Sequence, residues 1–222
     1  LRLKFISRMK NKKSIMYSIC SYLILPIYKV LVKEIIEGEH FIPTQEPVII
    51  ISNHISFIDP LNMAYLLKRR KRQVSFLAKD SLFENLILRW FLNHCQQIPV
   101  SRDSDRSKDS LLLAEEALAK GKCVGIYPEA TISDLTKLLP LKSGALRLAQ
   151  KSGVEIIVIG TYGAHKIWTK GSRVKFRFRT KNSIVVSKGF KISKDQDIEQ
   201  ARKDLYIKMT DLVLKAKQKL GD

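Results

Sequence analysis

Val48-Ile-Ile-Ile-Ser-Asn-His-Ile-Ser-Phe-Ile-Asp-Pro60 runs from an uninterrupted apolar segment into a polar turn. An apolar run of that length without alternation describes a buried strand, of the kind found in parallel sheets covered on both faces. The strand delivers Asn53 and His54 to its C-terminal end, where open α/β sheets place their sites. Asp59 follows five residues later, ahead of Pro60, whose ring disfavours helical geometry at Asp59. The turn can fold back and bring a carboxylate to the imidazole, fixing its tautomer and stabilising the cation formed on proton uptake. Spacing alone equally suits a surface-loop histidine.

Outward from this stretch, apolar runs at 74–78, 123–127 and 156–161 read as further buried strands. Helical patterns lie between them at 61–68, 82–94, 106–120 and 143–151, the third with Ser104 or Asp105 as N-cap and Gly121 past its end. Such alternation predicts an α/β fold with a largely parallel sheet flanked by helices. A closing amphipathic helix carries Ile198, Ala201, Leu205, Leu212, Ala216 and Leu220 on one side. No repeat or linker interrupts the pattern. One α/β domain over residues 35–222 is expected, preceded by a separate segment, 1–34.

Forty Lys plus Arg against 21 Asp plus Glu give a net charge of +19, so an anionic partner is expected. Residues 1–13 hold Arg2, Lys4, Arg8, Lys10, Lys12 and Lys13 and no acid. An apolar stretch over 15–32 follows, too short and too interrupted by Pro26 and Lys29 for a comfortable span. It also lacks a small-residue cleavage site of the signal-peptide kind. Met16, Ile19, Cys20, Leu23, Ile27, Val30 and Leu31 share one helical face, with Ser18, Tyr22, Lys29 and Lys33 on another. This suits a helix lying in an anionic membrane interface, a core-packing helix being the plainer alternative. Cys20, Cys95 and Cys123 have neither disulfide-framework nor zinc spacing and read as small fillers of a reducing, cytosol-facing protein. No metal or cofactor is expected.

Two further blocks supply chemistry. Ile98-Pro-Val-Ser-Arg102 sets an arginine after a short apolar run. Tyr127-Pro-Glu-Ala-Thr-Ile-Ser133 places Pro128, Glu129 and Thr131 at the end of another strand, where Glu129 and His54 can converge. A solvated turn carboxylate is the plainer reading of Glu129. The order of these blocks, with the apolar run 156–159, resembles the glycerolipid acyltransferase family of 1-acylglycerol-3-phosphate O-acyltransferase type over roughly residues 20–170. The resemblance implies acyl transfer from acyl-CoA or acyl carrier protein to a glycerol-phosphate hydroxyl, with no covalent enzyme intermediate. It implies catalysis by His54 with Asp59, and acceptor binding by Arg102, Glu129 and Thr131, with Asn53, Pro128 and Ser133 as motif residues.

Three departures stand out. The family's glycine before the second block is Gln96 here, its Pro-Glu-Gly-Thr-Arg glycine is Ala130, and its arginine is Ile132. Alanine at 130 predicts a turn of ordinary backbone geometry. Without the arginine, Lys79, Arg102 and Lys142 are the candidates to hold a phosphate. The expected oxyanion donors are backbone N–H groups near His54. The expected setting is the cytoplasmic face of the cell membrane, peripheral or monotopic, with lysophosphatidic acid or a related acceptor as partner.

The basic run 68–72 and the alternating 173–179 segment suit anionic lipid, CoA phosphates or plain solvation. A nucleic-acid-binding protein is the rival reading, but Phe176 and Phe178 alternate away from the cations, as core residues do, and no binding motif occurs. A hydrolase is disfavoured by the absence of a Gly-x-Ser-x-Gly elbow. A relative that keeps the fold without the activity is the third alternative.

Overall fold

The computed structural model describes residues 14–101, 104–133, 138–175 and 178–222, with backbone alone at 104–108. Seven strands form one sheet: β1 (Val32–Glu37), β2 (Val48–Ser52), β3 (Val74–Lys79), β4 (Ile98–Val100), β5 (Cys123–Ile126), β6 (Glu155–Tyr162) and β7 (Thr180–Val186). Their order is β1-β7-β6-β2-β5-β3-β4. Every neighbouring pair is parallel except β6 with β7. The helices are α1 (Ile15–Leu31), α2 (Asp59–Arg69), α3 (Leu86–His94), α4 (Ser104–Ala119), α5 (Gly144–Ser152) and α6 (Ile198–Gln218).

Strand β2 shows why the run at 48–52 is apolar throughout. Ile49 and Ile51 enter one core with Leu146, Ile156, Leu205 and Met209, under α4, α5 and α6. Val48 and Ile50 enter the other with Met63, Leu66 and Leu67 of α2. Both faces are dry, so alternation has no function here. Gly160 of β6 lets α6 approach: a Cβ there would lie 2.4 Å from the backbone carbon of Leu212.

Several boundaries differ from expectation. Helix α2 starts at Asp59, because Pro60 falls in its first turn, where a missing N–H is tolerated. The expected helix at 82–94 divides into a 3-10 turn, Asp80–Phe83, and α3, whose N-cap Asn85 accepts from the amides of Ile87 and Leu88. Helix α4 is described from Ser104, and the capping side chains expected at Ser104 or Asp105 lie outside the described residues. Strand β7 starts at Thr180, after the alternating segment 173–179. Phe178 is 71% exposed and no core residue; Phe176 lies outside the described residues.

The basic run 68–72 is largely used within the fold. Arg69 pairs with Glu39 through two bonds of 2.5 and 2.8 Å. Arg70 donates to Ile42 O, and buried Arg72 to the carbonyls of Pro43, Glu46 and Gly121. Lys68 donates to Ser21 O and lies over the Tyr22 ring.

Candidate active site

The C-terminal ends of the parallel strands β2, β3, β5 and β6 share one edge of the sheet, and the chain turns at His54 there. The His54 Nδ1 lies 2.9 Å from Asp59 Oδ2. That same oxygen accepts from the amides of Ile55 and Ser56 at 2.7 and 2.8 Å. Asp59 is thus both partner of the imidazole and pin of its loop, and its place in the first turn of α2 favours negative charge. The His54 side chain keeps 16% exposure against 1% for Asp59. With Nδ1–H donated to the carboxylate, Nε2 carries the lone pair free to take a proton.

The loop after β5 grips the His54 backbone from both sides. Its N–H donates to Glu129 Oε1 at 2.7 Å, and its carbonyl accepts from Ser133 N at 2.8 Å. The other Glu129 oxygen accepts from Leu139 N at 2.9 Å. Both oxygens of this buried carboxylate therefore serve the backbone. Burial pushes the Glu129 carboxyl above its ordinary value, opposed by these two amide bonds. Pro128 is buried and its carbonyl accepts from Lys142 N at 2.9 Å. Asn53 forms a reciprocal pair with Thr161 of β6, donating to its carbonyl and accepting from its amide.

Thr131 is half-buried within this loop, and Lys79 and Lys142 are exposed. Arg102 lies outside the described residues. Residues beyond the expected set complete the frame. Tyr127 stacks on His54, ring centroids 4.2 Å apart at 20°. Ser56 Oγ donates to Trp168 O and Thr169 Oγ1 to Ile55 O, tying the loop after His54 to the segment after β6. Phe57 packs on Trp168 at 4.6 Å. None has a local sequence signal, because each depends on a partner far along the chain.

Two expectations are corrected. Ala130 sits at φ 57°, closing a turn in which its amide donates to Tyr127 O at 3.0 Å. The alanine therefore adopts the left-handed geometry that glycine takes without penalty, because that backbone hydrogen bond and the Glu129 clamp hold the turn. Ala130→Gly is accordingly expected to stabilise the fold by up to about 1 kcal/mol. Chemical denaturation checks this; a lower midpoint would show that the methyl group matters more than the strain.

The amides near His54 are the second correction. Those of His54, Ile55 and Ser56 are bonded to Glu129 or Asp59, that of Phe57 to Trp168 O, and that of Ile58 to Ser56 Oγ. None of these five amides is therefore left without a partner.

A profile of the Acyltransferase family matches residues 34–161. The chain is 34% identical over 151 residues to the chloroplastic 1-acyl-sn-glycerol-3-phosphate acyltransferase of Arabidopsis thaliana, covering 67% of this chain and 40% of that protein. It is 30% identical over 140 residues to the 1-acyl-sn-glycerol-3-phosphate acyltransferase of Borreliella burgdorferi, 63% of this chain and 55% of that one. It spans about half or less of the plant and algal relatives. The crystal structure of the 1-acyl-sn-glycerophosphate acyltransferase from Thermotoga maritima shares the fold, with a TM-score of 0.74 at 22% identity over 91% of this chain and 80% of that one. With the profile spanning more than half of its length, this chain belongs to the Acyltransferase family.

Proposed function

We propose that this protein transfers a fatty acyl group from acyl-CoA to the free hydroxyl of 1-acylglycerol-3-phosphate, yielding phosphatidic acid for phospholipid biosynthesis. The observation that carries the reading is the 2.9 Å pair of His54 and Asp59 at the open edge of the sheet. His54 Nε2 takes the hydroxyl proton as the oxygen attacks the thioester carbonyl. Asp59 stabilises the imidazolium, and that proton leaves with the departing thiol. Arg102, Lys79 and Lys142 hold the acceptor phosphate, with Thr131 as a further acceptor-binding residue. Glu129 acts as the brace of His54. The names of the relatives support the substrate class.

Purified protein should be given labelled acyl-CoA or acyl carrier protein with 1-acylglycerol-3-phosphate, glycerol-3-phosphate or no acceptor. Transfer to 1-acylglycerol-3-phosphate should dominate. Donor hydrolysis without transfer would overturn the reading, and transfer from carrier protein alone would reassign the donor.

The same reading places α1 in the membrane interface on the cytoplasmic face. Ile15, Ile19, Leu23, Ile27 and Val30 are exposed on it, while Leu25 and Tyr28 turn inward. Leu86, Ile87 and Trp90 of the adjoining α3 add to this apolar surface, Ile87 at 81% exposure. Among the described residues no helix is long and apolar enough to cross a membrane. Helix α1, at about 1.5 Å per residue, falls short of the roughly 30 Å hydrocarbon core.

Substituting Ile19, Leu23 and Ile27 by serine should weaken binding to anionic vesicles at least tenfold, since each buried side chain contributes roughly 1.5–3 kcal/mol. Binding by the unaltered chain should also weaken with salt. Undiminished sedimentation of the triple variant would move the membrane contact elsewhere.

A further inference from the structure

Helix α1 also reaches the catalytic carboxylate. Its buried Tyr28 donates from the phenol to Asn62 Oδ1 at 2.6 Å. Asn62 Nδ2 faces the second oxygen of Asp59, Oδ1, at 3.4 Å. On its other side the Tyr28 oxygen meets Glu34 Oε1 of β1, in close contact. The remaining oxygen, Glu34 Oε2, accepts from Asn182 Nδ2 of β7 at 2.9 Å. Tyr28, Asn62 and Asn182 are all buried.

The protons along this chain can be counted. A phenol has one proton and cannot give it to Asn62 and to a carboxylate at once. Asn182 Nδ2 lies nearer to Oε2, at 2.9 Å, than to Oε1, at 3.2 Å, and the Tyr28 oxygen meets Oε1, so a proton on Glu34 belongs on Oε1, where it donates to the Tyr28 oxygen and frees the phenol proton for Asn62. Burial pushes the Glu34 carboxyl up to about 8, which keeps that proton in place at neutral pH. The titratable groups around it are Tyr28 from α1, with the Tyr65 ring tilted at 45° to its own at 5.6 Å, and Asp59 from α2, whose charge adds to the upward push. From β7 the facing side chain is the neutral Asn182.

We propose that Glu34, Tyr28 and Asn62 are positioning residues for the acyl transfer, a chain that ties the seating of helix α1 to the orientation of Asp59 and through it to His54. The proposal rests on His54 and Asp59 being the catalytic pair. When Glu34 ionises, its carboxylate competes for the Tyr28 proton and withdraws it from Asn62. Asn62 then loses the partner that orients its amide towards Asp59. Activity therefore falls on the alkaline side, as the proton on Glu34 is lost.

The test uses the full chain with acyl-CoA and detergent-dispersed 1-acylglycerol-3-phosphate. Tyr28→Phe keeps the ring in its packing and should lower kcat about three- to tenfold, with both KM values and vesicle binding unchanged. Glu34→Gln places an amide donor against Tyr28 and an acceptor against Asn182. It should keep wild-type kcat at pH 7 and lose the alkaline fall that wild type shows near pH 8. Wild-type kcat and pH profile in Tyr28→Phe would overturn the proposal, as would an unchanged alkaline fall in Glu34→Gln. If Tyr28→Phe does not fold, Glu34→Gln decides alone. Failure of the catalytic reading itself is distinguishable, because His54→Ala would then retain activity.

Discussion

His54→Ala should lower kcat by roughly 10²- to 10⁴-fold, the range typical of a positioned proton acceptor, with the fold intact. The side chain can be lost cheaply because the backbone of residue 54 is held by Glu129 and Ser133, not by its imidazole. Asp59 needs two variants, because its Oδ2 serves the imidazole and two amides together. Asp59→Asn retains an oxygen for the amides of Ile55 and Ser56, so stability should change little while most of the rate is lost. Asp59→Ala removes that acceptor and should lose both. The ascending limb of the kcat/KM pH profile should vanish in His54→Ala, and Asp59→Asn added to it should cost little more. Near wild-type transfer by His54→Ala would sink the mechanism, whatever the family.

Gly160→Ala should destabilise the protein by roughly 2–3 kcal/mol, a large part of the 5–15 kcal/mol typical of a domain. The new methyl would meet Leu212 C at 2.4 Å, Leu212 O at 2.6 Å and Val213 N at 2.6 Å. These are backbone atoms of α6, and no rotamer change moves them. The helix must retreat from the sheet, loosening Leu205, Met209, Leu212 and Ala216 against Ile156 and Val158. Chemical denaturation should show the lower midpoint. An unchanged midpoint would mean that α6 is not seated against β6 as described.

The sequence makes β2 legible because burial on both faces leaves only apolar residues in it. It also exposes the His54–Asp59 pair, since only four residues lie between the two. It hides β1 and β7 for the opposite reason. Val32–Glu37 is an edge strand half open to solvent, and Thr180–Val186 buries Asn182 and Ser183, so neither resembles an apolar run. Glu129 is conspicuous as a carboxylate, yet its employment by the amides of His54 and Leu139 depends on loops 75 and 10 residues away. The chain from Tyr28 to Asp59 has no local pattern at all, because Tyr28 and Asn62 are 34 residues apart.

Val32 is at once the last anchor of α1 and the first rung of the sheet. Its N–H closes on Tyr28 O, and the residue is already paired with Thr180 of β7. No joint separates helix from strand, so a force on the helix is carried straight into the ladder between β1 and β7. Those rungs lie side by side along parallel strands, and a pull along β1 loads them in shear, all together. Local opening should therefore remove α1 and β1 as one unit, with a shared hydrogen-exchange rate rather than a fraying helix beside a firm strand. The opened molecule would bare β7 as a new edge, a row of unpaired amides and carbonyls able to capture the same strand from another copy.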